Sequence, residues 1–262
     1  MIESTKNPTV KRVARLKQRP DREETGLALM EGPQVVRELV AHAPETVEEL
    51  YFTSDGFDRH PDIAKNATAA GIDVEFVTDA VLAAMADTRT PQGVLAVAHQ
   101  VPVRLRDLFE DGAKLVVVLD EVRDPGNAGT IIRVADAAGA DAVILTGSSV
   151  DPYNPKVVRA TTGSLFHLRI TTGVTLAAAA DAVRAAGLEL LAADMHGEPL
   201  PSADLSGPTA WMFGNEAHGL SAEARASADR TIAVPIYGAA ESLNLGTAAA
   251  VCLYASAFAH RG

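Results

Sequence analysis

From Lys114 onward, short apolar runs alternate with helix-length stretches, and this alternation constrains the chain more than any other feature. The runs fall at 115–119, 142–145, 188–193, 209–213 and 231–234, and helical patterns occupy 127–138, 155–163, 176–186, 222–227 and 242–259. Continuous apolar runs without an in-out alternation belong to strands buried on both faces. The pattern therefore predicts an α/β fold, a mainly parallel sheet with helices on both faces. Upstream, helical stretches at 33–42 and 63–70 and strand-like runs at 49–53, 74–77 and 94–99 predict a smaller α/β unit. Between them, 101–113 mixes proline, arginine and acids without apolar periodicity and reads as a linker. The expected organisation is a domain at 1–100, a linker at 101–113 and a domain at 114–262, which suits a chain of 262 residues.

A single cysteine, Cys252, forbids an intrachain disulfide and leaves no thiolate zinc site. Its apolar surroundings predict an inert buried thiol, and His218 has no His or Glu at ligand spacing, so no metal is expected. The stretch 242–259 carries Asn244, Gly246, Thr247 and Ser256, too polar for a membrane span, and reads as a buried terminal helix. With charge at the start of the chain where a leader peptide needs an apolar core, a cytoplasmic setting away from membranes is expected.

The formal net charge is −11, which by itself disfavours a nucleic-acid partner. The distribution points the other way, because Met1 to Arg22 carries seven bases against two acids. Asn7-Pro8 begins a helix with an N-cap and a proline in its first turn; Val10, Val13, Ala14 and Leu16 face inward. Lys6, Lys11, Arg12, Arg15, Arg19 and Arg22 are then candidate phosphate contacts, with a solvated basic face as the alternative.

Ligands of open α/β sheets gather beyond the carboxyl ends of the strands, and three loops there are rich in polar residues. The first runs from Asp120 to Arg133, with Gly126 and Gly129 admitting close backbone approach and Asn127 placed to cap the next helix. Arg133 stands on that helix among apolar neighbours, which suggests an anionic ligand or a salt bridge to Asp124 or Asp136. The second loop, Gly214-Asn215-Glu216-Ala217-His218-Gly219, has the outer spacing of a P-loop but lacks its lysine. The third runs from Val234 to Thr247, with Ser242 a plausible cap of the final helix, whose free amides could hold a polar group.

In this order, the three segments resemble the three motifs of the SpoU (TrmH-type) RNA ribose methyltransferases of the SPOUT superfamily. Ser4, Asn7-Pro8 and Glu31-Gly32 also resemble the small ribosomal-protein-like RNA-binding domain often fused in front. The resemblance implies S-adenosylmethionine as cofactor, a trefoil knot at the carboxyl end, and a homodimer whose active site is completed across the interface. It implies catalytic roles for Asn127, Arg133, Glu216, Ser242 and Asn244, and cofactor contacts from Gly214, Asn215, Val234, Ile236 and Leu243. After Asn244 the chain continues Leu245-Gly246-Thr247, where many relatives carry valine and serine.

The implied reaction is methylation of a ribose 2′-hydroxyl in structured RNA. A separate basic amino-terminal domain favours ribosomal over transfer RNA. Arginine is a poor base, so Arg133 is assigned mainly to a phosphate or to the developing alkoxide, with deprotonation by Arg133 left open in a strongly perturbed pocket, and Glu216 is expected to orient Arg133 or another donor. Two rival functions remain open. One is a non-catalytic RNA-binding or ribosome-assembly protein. The other is a dinucleotide-dependent oxidoreductase, disfavoured because Gly126 and Gly129 do not complete Gly-x-Gly-x-x-Gly.

Overall fold

The computed structural model describes residues 1–262, which fall into two compact units. The first comprises Met1–Val101 together with Asp151–His167, and the second Pro102–Val150 with Leu168–Gly262.

In the first unit, β1 (Leu27–Glu31), β2 (Val47–Phe52), β3 (Val74–Phe76) and β4 (Val94–His99) form a mixed sheet in the order β1-β4-β2-β3. Around it lie α1 (Pro8–Arg15), α2 (Arg19–Thr25), α3 (Pro33–His42), α4 (Ser54–Arg59), α5 (Pro61–Ala69) and α6 (Asp79–Met85). Asn7 caps α1 by accepting from the Thr9 amide at 2.8 Å, and Val10, Val13 and Leu16 are buried against α6 and the sheet. The basic stretch folds as two helices, α1 and α2. Pro20, in the first turn of α2, has no amide to continue α1. The strand β1 is not evident from the sequence, since Leu27-Ala28-Leu29-Met30 suits a helix equally well.

In the second unit, β5 (Leu115–Asp120), β6 (Ala142–Thr146), β7 (Arg169–Val174), β8 (Glu189–Pro199), β9 (Thr209–Phe213) and β10 (Arg230–Ala233) lie in the order β10-β8-β9-β5-β6-β7. Every pairing is parallel, so all carboxyl ends share one edge. The helices are α7 (Pro125–Ala138), α9 (Leu176–Ala185), α10 (Ala222–Ala226) and α11 (Leu245–Arg261), while α8 (Pro155–Thr161) folds with the first unit. Val116, Val118, Ile144, Leu190 and Met212 pack against Ala179, Ala180 and Val183 of α9 and Ala224 of α10. Alternate residues face the other way: Trp211 donates its indole N–H to Ser256 of α11 at 2.9 Å. Helices therefore cover both faces, as expected.

Two boundaries and the burial of one helix differ from the expectation. The segment 102–113 is no free linker: Leu108 is buried in the second unit's core, and Val103 exchanges hydrogen bonds with Ile170 and Thr171 of β7. The excursion 151–167 leaves the second unit for the first, burying Tyr153, Val157, Val158 and Leu165. The final helix is only half buried. Gly246, Ala249, Cys252, Leu253, Ser256 and Ala257 pack inward, whereas Val251, Tyr254 and Phe258 are 40%, 37% and 70% exposed. No helix is long and apolar enough to cross a membrane.

Candidate active site

The strand β5 delivers the first loop with a backbone kink at Glu121, whose φ of +57° is a left-handed conformation unusual for a non-glycine residue. The Glu121 carboxylate accepts from the Ser148 amide at 2.7 Å and from Arg123 at 2.9 Å, which holds its pKa below the usual carboxylate value. Asp124 caps α7 by accepting from the Asn127 amide at 2.8 Å. The helix therefore starts before Asn127, which is freed from the capping role the sequence suggested.

The second loop is pinned to the first. Asn215 and Gly219 exchange main-chain hydrogen bonds at 3.1 and 2.8 Å, and a Cβ at Gly214 would stand 2.5 Å from the Gly219 carbonyl carbon, so only glycine fits this crossing. The Asn215 amide donates to the Glu121 carbonyl at 2.9 Å. The Glu216 carboxylate accepts from the backbone amides of Arg123 at 3.2 Å and Asp124 at 3.0 Å. Of the donors open to it, Glu216 thus takes the backbone amides of the first loop.

The third loop, from Val234 to Leu243, makes no main-chain hydrogen bonds within the chain. It ends at Asn244, which caps α11 by accepting from the Gly246 and Thr247 amides at 2.9 and 3.3 Å. Ser242 is therefore not the cap. The Asn244 amide also donates to the Asn127 side-chain oxygen at 3.0 Å, joining the third motif to the first across 117 residues of chain. The departure at Gly246 has a packing reason: a Cβ there would lie 2.9 Å from the Thr130 methyl, so glycine lets α11 approach α7.

These loops surround a cleft of about 450 Å³. Asn215, Glu216, Val234, Ile236, Ser242 and Leu243 line it, whereas Gly214 does not. Asn127 and Asn244 meet at the head of α7 and α11. Arg133 is not among the lining residues; it is exposed on α7, and Asp124, one partner suggested for it, caps that helix. The sequence reading missed Asp194, Met195, His196, Arg225 and Glu241, which also line the cleft. The first three come from a break in β8, where β10 changes register between Thr231 and Ile232, and Arg225 pairs with Asp194 at 3.1 Å. A polar Asp-Met-His interruption at the end of an apolar run was the available signal. Cys252 is buried, and burial pushes its thiol up to about 12, matching the inert role expected.

Of the candidate RNA contacts, Lys6 and Lys11 are exposed without acidic partners. Arg12, Arg15 and Arg19 are exposed and paired with Glu49, Asp21 and Glu23, surface pairs weak enough to yield to phosphates. Arg22, also a candidate, is enclosed by protein. It is 2% exposed, binds Asp151 through two nitrogens at 2.9 and 2.6 Å, and donates to the Leu16 and Lys17 carbonyls. A guanidinium so enclosed cannot reach RNA.

The pattern of the SpoU rRNA Methylase family matches residues 114–254, which include all three loops. The chain belongs to this family. Residues 7–96 match the MRM3-like substrate binding domain. The sequence is 34% identical over 254 residues to the 23S rRNA (guanosine(2553)-2'-O)-methyltransferase RlmP of Bacillus subtilis, covering 97% of both chains. It is 33% identical over 232 residues to the 23S rRNA (guanosine-2'-O-)-methyltransferase RlmB of Ralstonia nicotianae, covering 86% of this chain and 93% of that one. The crystal structure of an AdoMet-bound rRNA methyltransferase from Sinorhizobium meliloti superimposes with a TM-score of 0.85 at 33% identity, covering 97% of this chain and 96% of that one. Family membership brings with it the SPOUT α/β fold, the RNA methyltransferase class and S-adenosylmethionine as cofactor.

Proposed function

We propose that this protein transfers a methyl group from S-adenosylmethionine to a ribose 2′-hydroxyl of ribosomal RNA, acting as a cytoplasmic homodimer. The observation that carries the reading is the convergence of the three motif loops, from distant parts of the chain, on one cleft at the carboxyl edge of a parallel sheet. Its volume suits a nucleoside-sized ligand. Its walls fit the cofactor too: Val234, Ile236 and Leu243 offer apolar surface, and the unpaired main chain of the third loop offers donors and acceptors. The carboxyl-terminal knot belongs to the same reading, supported by β10 lying beside β8 while α11 returns to α7.

Bound there, S-adenosylmethionine supplies an electrophilic methyl group whose departure leaves a neutral thioether. The chain's residues align the acceptor and stabilise negative charge on its oxygen. Glu216 and Asn215 hold the first loop in register with the cleft, and the Asn127–Asn244 pair fixes the start of α7 against that of α11. Ser242, on the cleft wall, positions the sugar. Arg133 grips a phosphate or the developing alkoxide, its planar guanidinium matching either anion.

Arg133 lies outside its own chain's cleft, on the helix that packs beside the exposed Val251, Tyr254 and Phe258 of α11. A second copy docked on that apolar surface would bring Arg133 to the neighbouring site, which supports the dimer. Ribosomal RNA is favoured because the two curated relatives named above act on 23S rRNA and match across both units. The dinucleotide reading leaves the second and third loops without a role.

Mapping ribose methylation across total RNA from cells with and without the gene tests the substrate. A lost mark in ribosomal RNA is expected; one confined to transfer RNA overturns that choice, and no lost mark favours the non-catalytic RNA-binding reading. Arg133→Ala is expected to abolish transfer while calorimetric S-adenosylmethionine binding persists. Full activity in that variant removes Arg133 from the mechanism.

A further inference from the structure

The helix α3 presents Gln34, Glu38 and His42 at four-residue intervals, hence along one face. Against that face lies the turn following α8. Gly163, at φ +107°, approaches so closely that a Cβ there would stand 2.3 Å from Glu38 Cγ, and the short helix Ser164–Phe166 then delivers His167. Both imidazoles converge on one oxygen: His42 Nε2 lies 3.4 Å and His167 Nε2 3.3 Å from Glu38 Oε2. The rings meet edge to face, with centroids 4.4 Å apart.

These separations are long for hydrogen bonds to a carboxylate, which cluster below ~3.0 Å. They match the edge of a different polyhedron. A tetrahedral ion with bonds of about 2.0–2.1 Å sets its ligand atoms roughly 3.3 Å apart. The remaining carboxylate oxygen, Glu38 Oε1, accepts from Gln34 Nε2 at 2.7 Å, so the carboxylate is held by a neighbour with Oε2 turned toward the histidines. His42 is about half exposed, which leaves room for water as a fourth ligand.

We propose that Glu38, His42 and His167 bind one divalent transition-metal ion of the zinc class, an assignment the sequence reading, which expected no metal, did not reach. Two imidazoles and a carboxylate suit zinc or cobalt and disfavour magnesium and calcium, which take oxygen ligands. Because His42 and Glu38 belong to α3 and His167 ends the 151–167 excursion, the ion clasps that excursion to the amino-terminal unit. The proposal is independent of the methyltransferase reading.

The test uses the untagged full-length chain, stripped with chelator and titrated with Zn2+ by calorimetry and with Co2+ by visible absorption. About one equivalent is expected, with a tetrahedral cobalt spectrum and a melting temperature raised by Zn2+ but not by Mg2+. His42→Gln and His167→Gln should each abolish the stoichiometric site while keeping the parent's circular dichroism. Gln34→Ala should weaken it about tenfold, the usual effect of releasing a ligand's orienting partner. Absence of saturable binding, or binding unchanged in both histidine variants, overturns the assignment.

Discussion

Arg22→Ala separates two roles for the basic amino-terminal stretch. The guanidinium makes four hydrogen bonds, two to the Asp151 carboxylate and two to the Leu16 and Lys17 carbonyls, at 2% exposure. Adding the gross strengths of these bonds would overstate the loss, since water replaces some of them in the unfolded chain. Removing one member of a buried pair costs about 3–5 kcal/mol, because the other charge stays behind unpaired. Asp151 is 15% exposed and also accepts from the Tyr153 amide, so its carboxylate is partly relieved and the lower end, about 3 kcal/mol, applies. For a unit of this size that corresponds to a melting shift of roughly 12 °C. Calorimetric scanning measures it, and a cycle with Asp151→Asn should return an interaction energy of about 1–3 kcal/mol. RNA affinity should keep its dependence on salt in Arg22→Ala, whereas Lys11→Ala should lower that slope by about one without moving the melting temperature. An unshifted melting temperature with a reduced salt slope in Arg22→Ala would refute the anchoring role and restore the phosphate contact.

Asn244→Asp should keep the α11 cap but lose the donor to Asn127, reducing methyl transfer with little change in stability, while Asn244→Ala should also lose about 1 kcal/mol of stability; urea titration and a transfer assay read the two separately. Glu121 is held ionised by the Ser148 amide first and by Arg123 second, so its contribution is complete above the ordinary glutamate value of ~4.3 and disappears as pH falls through its lower folded value. Stability measured through acid should therefore fall less steeply in Glu121→Gln than in the parent. Gly214→Ala places a Cβ 2.5 Å from main chain, which should cost about 1–3 kcal/mol and weaken S-adenosylmethionine binding measured by calorimetry.

The parallel sheet was legible because its central strands are apolar on both faces, as in Leu115–Asp120, where every residue is buried. The edge strand Arg169–Val174 was not, since Thr171, Thr172 and Gly173 interrupt the apolar signal that burial on both faces would require. Helix caps were displaced by two or three residues, Asp124 for Asn127 and Asn244 for Ser242, because each start offers more than one capping side chain and tertiary contacts choose between them. The motif residues were found, but their partners were not. Glu216 meets backbone amides 92 and 93 residues away, and Arg22 meets an acid 129 residues away, distances over which local pattern carries no information.

The excursion 151–167 also governs when the amino-terminal unit can finish folding. Its closing contacts, Arg22 with Asp151 and Glu31 with Arg159, span 129 and 128 residues, so they form late and at a high loop-closure cost. During synthesis, Met1–Val101 emerges first yet lacks Tyr153, Val157, Val158 and Leu165 until β5, α7 and β6 have left the ribosome. The nascent amino-terminal half therefore waits, with part of its apolar surface uncovered, for a segment encoded in the middle of the other unit. A ribosome pause before residue 167 would prolong that interval, and premature termination there would release a chain whose first unit is missing its last layer.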